Sequence, residues 1–109
     1  SMLYELRVYE CNPGMLPAIV KRFADHTVAL FDKHGIKNIG YWTTEVGTSN
    51  HELTYIVAFD DAAQREKAWA NFRADPAWPG IVEESHINGV IVKNVRNQLL
   101  TPTAYSPLQ

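Results

Sequence analysis

Apolar and polar residues alternate from the start of the chain, and Leu3-Tyr4-Glu5-Leu6-Arg7-Val8-Tyr9-Glu10 reads as a first strand. Side chains two apart share a face, so Leu6 and Val8 lie with Tyr4 while Glu5, Arg7 and Tyr9 lie opposite. Pro13-Gly14 breaks the strand, and the period then changes. Leu16, Ile19, Val20, Phe23, Thr27, Leu30, Phe31 and His34 follow at gaps of mostly three and four, a helical stripe from about Met15 to His34. Gly35 supplies the left-handed residue that ends such a helix. Residues 37–47 and 52–60 read as paired strands joined by the polar Thr48-Ser49-Asn50-His51. Asp61 with Gln64 three residues on resembles a capping box, and the helix it opens carries Arg65, Ala68, Trp69 and Phe72 on one stripe. Asp75-Pro76 ends that helix and can restart a short one. Residues 88–95 read as a last strand, and the tail to Gln109, with Pro102 and Pro107, as extended.

The resulting order, β-α-β-β-α-β, predicts an α+β fold: a ferredoxin-like subunit with an antiparallel sheet and both helices on one face. Its domain spans residues 3–95, and 96–109 form a C-terminal tail. Strands two and four are the edges. Tyr9, Tyr55 or Val57, and Ile91 are expected to be shared between the two sheet faces, leaving the uncovered one too apolar for water. A homodimer that stacks two sheets into a dimeric α+β barrel answers this.

Composition narrows the function classes. A chain of 109 residues makes one small domain, for which dimerisation enlarges a limited core. A net charge of −2 with scattered Lys and Arg offers no field for phosphate backbones, so nucleic acid is not expected as a partner. Cys11 is alone, which rules out an intramolecular disulfide and suits a strand-end filler. No apolar run approaches the ~20 residues of a membrane span and no signal pattern opens the chain, so a soluble cytoplasmic protein is expected. Ser1 before Met2 reads as the scar of a cleaved tag.

Three groups could carry chemistry. His26 flanks the apolar stripe one turn from Phe23 and Leu30, where a neutral imidazole could act as a catalytic base; the plainer reading is a helix-flank histidine bonded to its surroundings. Tyr41, Trp42, Tyr55, Trp69 and Trp78 could wall an aromatic ligand, Trp42 and Trp69 foremost, or simply fill the core. Arg7, with Glu5 and Tyr9, is expected to point into the dimer barrel, paired with Glu5 or Glu45, as an interface pair or as a clamp for a substrate carboxylate. Arg65 is assigned no chemistry. His26 and His34 lie too far apart along the helix to share a metal, and no metal site or cofactor is expected, although a pocket histidine leaves haem open. No nucleophile elbow or phosphate loop is present.

At Tyr4-Glu5-Leu6-Arg7-Val8-Tyr9, at Phe23 to Gly35 with its His26-Thr27 and His34-Gly35, at Gly40-Tyr41-Trp42, at Gly47 and Asn50, at Asp60-Asp61 to Arg65 and Trp69, and at Asp75-Pro76-Ala77-Trp78, the chain resembles the NIPSNAP family. The resemblance spans about residues 3–95. It implies a ferredoxin-like subunit in a two-fold dimer with an internal barrel, and for function only an undefined activity. Animal members are linked to mitochondria and vesicle traffic; lacking their N-terminal extension, this chain is not expected to share that role. Two functions follow as expectations. One is a homodimeric module that binds a small ligand or another protein. The other is a cofactor-independent enzyme, a monooxygenase or isomerase, acting on an apolar aromatic or acyl substrate with His26 as base, Trp42 and Trp69 as walls and Tyr41 or Trp42 as the floor between the two helices.

Overall fold

Alternation builds the sheet and the longer period builds its cover. The computed structural model describes residues 1–109. In chain order the elements are β1 (Leu3–Cys11), α1 (Leu16–Arg22), a π-helical turn (Phe23–Thr27), α2 (Val28–Lys33), β2 (Lys37–Thr43), β3 (Glu52–Phe59), α3 (Ala62–Arg73), α4 (Trp78–Ser85) and β4 (Val92–Leu100). The strands form one antiparallel sheet in the order β2-β3-β1-β4, the ferredoxin-like arrangement. The molecule is only 19 Å across its thinnest dimension, the depth of one helical layer on one sheet. No helix is long and apolar enough to cross a membrane.

Register decides what each face of the sheet carries. Glu5 pairs with Val57, Arg7 with Tyr55 and Tyr9 with Leu53, and this row meets the helices. Glu5, Arg7 and Tyr9 therefore point under the helical layer and not into an inter-subunit barrel: Glu5 meets Arg65 and Trp69 of α3, and Arg7 and Tyr9 bond to Tyr55 on the same sheet face. The expectation that Tyr9, Tyr55 or Val57, and Ile91 are split between faces is likewise corrected. Tyr55, Val57 and Ile91 belong to the buried core and Tyr9 packs against it. The face without helices carries Tyr4, Leu6 and Val8 from β1, Thr54, Ile56 and Ala58 from β3, and Gly40 and Trp42 from β2.

The first helix is continuous from Leu16 to Lys33 but contains the π turn, which the periodicity did not predict. Ile19, Phe23, Thr27 and Phe31 all reach the core at steps of four. In a regular α-helix each such step drifts by roughly 40°. The wider turn at Phe23–Thr27 takes up that drift and keeps all four over the sheet. Val20 is left outside and Arg22 is buried instead. Gly35 ends the helix at φ +78°, as the sequence indicates. Asp61 Oδ1 caps α3 by accepting from the Gln64 N–H at 2.8 Å, and Gln64 Oε1 accepts from the Asp60 N–H at 3.1 Å. β4 begins at Val92 and continues past Val95 to Leu100 along β1, beyond the shelter of the helices.

Candidate functional site

Glu5 is the most enclosed charged side chain, with no exposed surface. Arg65 donates to both of its oxygens, from Nε at 2.9 Å and Nη2 at 3.1 Å. Trp69 Nε1, Arg7 Nη1 and Asn97 Nδ2 each donate at 2.9 Å. Burial pushes the Glu5 carboxyl up, but Arg65, Asn97, Trp69 and Arg7 outweigh it and bring its pKa down to about 2. Arg7 also donates from Nε to the Tyr55 hydroxyl at 2.7 Å, and Tyr55 in turn donates to the Tyr9 hydroxyl at 3.1 Å. The expected partner of Arg7 is thus Glu5 and not Glu45. The surroundings leave a hollow of about 220 Å³ lined by Arg7, Tyr9, Arg65, Trp69, Phe72 and Arg73. That is below the ~300–1,000 Å³ usual for small-molecule sites, and the charges of Arg7 and Arg65 are already met by Glu5.

A larger cleft, about 550 Å³, opens between the first helix and α4. The flank of the helix next to the core stripe supplies Met15, Ala18, Arg22 and His26, and α4 with the turn after it supplies Ile81, Ser85 and Ile87. Lys21, Asp25 and Glu84 stand exposed along it, Lys21 paired with Asp25. Arg22 is 8% exposed. Its Nη1 donates to the Ser85 hydroxyl at 3.2 Å, its guanidinium lies 5.3 Å from the centre of the Trp78 ring, and its enclosed Nε–H has no acceptor. No carboxylate lies within ion-pair distance of it. Burial lowers the Arg22 pKa, yet a guanidinium does not deprotonate in proteins, so a positive charge stays on the cleft wall.

The residues singled out from the sequence do not converge. His26 lines the large cleft, whereas Trp69 lines the small hollow and packs edge-on to Phe31 at 5.3 Å. The expected groove shared by His26 and Trp69 does not form, because α4 and not α3 lies across from His26. Trp42 projects from the opposite sheet face, 52% exposed, with its indole across Gly40, so it cannot wall a pocket with Trp69. Tyr41 stacks on Tyr55 at 5.2 Å and donates to Asn38 Oδ1. Tyr41 and Trp69 are core aromatics, as the plainer reading has it. Sequence reasoning missed Arg22 and Ser85 and gave Arg65 no role. Arg22 directly precedes Phe23, but which flank of the stripe is buried depends on the π turn at Phe23–Thr27, so the apolar spacing did not mark it.

Comparison with known proteins agrees with this architecture. A NIPSNAP family protein of unknown function from Agrobacterium tumefaciens is 30% identical, with 99% of this chain and 94% of that one covered and a TM-score of 0.85. A NIPSNAP-like domain protein from Burkholderia xenovorans is 25% identical over 97% of this chain and 89% of that one, with a TM-score of 0.83. A second Agrobacterium tumefaciens NIPSNAP protein, 20% identical with full coverage of both chains, shares the fold at a TM-score of 0.88. None of the curated proteins matches the chain. The NIPSNAP sequence profile matches residues 4–107, nearly the whole length, and the chain belongs to the NIPSNAP family.

Proposed function

We propose that this chain is a small-ligand-binding protein whose site is the cleft between α1 and α4, carried on a two-fold dimer. The observation that supports this is the cleft itself. Its volume of about 550 Å³ falls within the range of small-molecule sites, and apolar Met15, Ile81 and Ile87 surround a few convergent polar groups, Arg22, His26 and Ser85. Ala18 lies on its wall and can be used to close it. In a ligand-observed NMR screen of small fragments, binders to the wild-type protein should be lost on Ala18→Phe while the fold is kept. A library in which no compound distinguishes the two proteins would overturn the reading.

The position of His26 favours a second reading, an enzyme that uses the same cleft. An imidazole on the wall can take a proton from a bound acidic substrate. His26→Asn separates the two. A binding module keeps its fragment affinities in that variant, whereas an enzyme keeps them and loses turnover of the fragment-derived substrate.

A further inference from the structure

The charge balance of the cleft is incomplete, and Arg22 is where it fails. Every other buried charge in the chain has its counterpart. Glu5 has Arg7 and Arg65, Glu52 has Arg96 Nη2 at 2.9 Å, and Asp75 has Lys33 and His34 at 2.9 and 2.7 Å. Arg22 has one hydroxyl and one aromatic ring. A permanently charged group held out of water without a counter-charge is costly, and it is cheaper where an anion can reach it. The side chain lines the cleft, so such an anion can arrive from solvent.

Resting on the reading of the cleft as a ligand site, we infer that Arg22 anchors the carboxylate of a small, largely apolar monoacid there. Ser85, on the cleft wall, accepts from the guanidinium and donates its own proton to the Val82 carbonyl at 2.7 Å, so it orients Arg22 toward the carboxylate and leaves the contact to the guanidinium. A planar guanidinium matches a planar carboxylate, and the apolar walls of Met15, Ala18, Ile81 and Ile87 suit a hydrocarbon or aromatic body. Asp25 and Glu84 stand on the same cleft. Asp25 is paired with Lys21, so Glu84 is the carboxylate there without an ion-pair partner, and a single carboxylate tolerates its charge better than a phosphate with about two charges.

The test uses octanoate, its neutral counterpart octanamide, and inorganic phosphate, titrated by calorimetry against wild-type protein and Arg22→Met. Octanoate should bind at least about tenfold tighter than octanamide or phosphate, and Arg22→Met should erase that preference, as for a hydrogen bond to a charged group. Methionine keeps the apolar packing of the stem, and replacing a buried charge by an apolar side chain is often tolerated. If Arg22→Met fails to fold, the Nε–Hε resonance of Arg22 in the wild-type protein, assigned through its displacement by Ser85→Ala, replaces the variant. It should move on addition of octanoate and stay put with octanamide. Equal binding of octanoate and octanamide, or phosphate binding as tightly as octanoate, would overturn the anchor. So would failure of octanoate to bind while neutral fragments are still lost on Ala18→Phe, which leaves the cleft a ligand site. Absence of any binder, fragments included, would bring down the ligand-site reading together with this one.

Discussion

Glu5 sits in the middle of β1 with no exposed surface and with donors from β1, α3 and β4 on its two oxygens. A carboxylate so held ties the strand to the helix above it and to its neighbour in the sheet, and its chemistry predicts how the fold meets acid. Its pKa lies near 2, against 4.5 for the ordinary side chain, so between those pH values the unfolded chain binds the proton and the folded one does not. Stability should be fully present above about pH 4.5 and fall as the pH drops toward 2, by about 3 kcal/mol from this group. Denaturant titrations at a series of pH values check the slope, and Glu5→Gln should flatten it. Gln also turns an N–H₂ toward a set of donors and leaves Arg7 without its anion, so the variant should lose about 3–5 kcal/mol at neutral pH. Replacing Glu5 and Arg7 together by leucine should restore only part of that loss. Arg65 and Trp69 Nε1 still lack an acceptor, and a simple two-residue pair would recover fully. That Arg7 would find a carboxylate, Glu5 among the candidates, was legible from their sharing a strand face. That Arg65 and Trp69 close on the same oxygens was not, since it depends on where α3 crosses the sheet. Arg22 was hidden for a related reason: the π turn decides which flank of the helix is buried, and apolar spacing does not reveal it.

At the level of elements, short-range chemistry was readable and long-range placement was not. The caps illustrate the first. Gly35 follows His34 at the end of the stripe and takes φ +78°, and Asp61 with Gln64 forms the start of α3. The two signals are coupled in space, because Gln64 Nε2 donates to the Gly35 carbonyl at 3.0 Å and would be 3.1 Å from a Cβ added at Gly35. Gly35→Ala therefore meets both a left-handed backbone and a crowded neighbour, and a loss of about 1–2 kcal/mol is expected from the backbone alone. Chemical denaturation measures it, and Gly35→Asn, whose side chain tolerates this conformation better, should lose less. The order of strands and helices followed from the change of period between two and 3.6, and so did the ferredoxin-like connectivity. The pairing of helices did not. Trp69 and His26 each have the right spacing to leave their helices toward a neighbour, but nothing local says that α4 will fill the space beside His26. The proposed site was therefore half legible: His26 marked the cleft, and its opposite wall of Ile81 and Ser85 carried no signal of its own.

The whole molecule is a sheet covered on one side, and that asymmetry argues for a second copy. Ile56 stands at the middle of the uncovered face, paired with Leu6 on one side and Gly40 on the other, with Val8 and Trp42 close by along the sheet. A lone exposed tryptophan needs no explanation, but an apolar row across three adjacent strands does. One end of the face is polar: Arg96 joins Glu10 at 2.5 Å and Glu52 at 2.9 Å. This gives an apolar centre beside a charged margin, the layout of a subunit interface. A second copy offers the same surface in return, and a two-fold axis through the face lets each apolar centre cover the other. The dimer should bury more than ~1,200 Å² in total, the lower bound for stable association. Light scattering at low micromolar concentration should therefore give twice the chain mass of 12.3 kDa. Ile56→Lys places a charge at the centre of that contact and should yield monomers, while Val46→Lys, at a side chain 93% exposed in the loop after β2, should leave the mass unchanged. A wild-type protein that scatters as a monomer at that concentration would sink the dimer. Because the α1–α4 cleft lies on the other side of the sheet, monomeric Ile56→Lys should keep its ligand affinity, so assembly and binding can be tested independently.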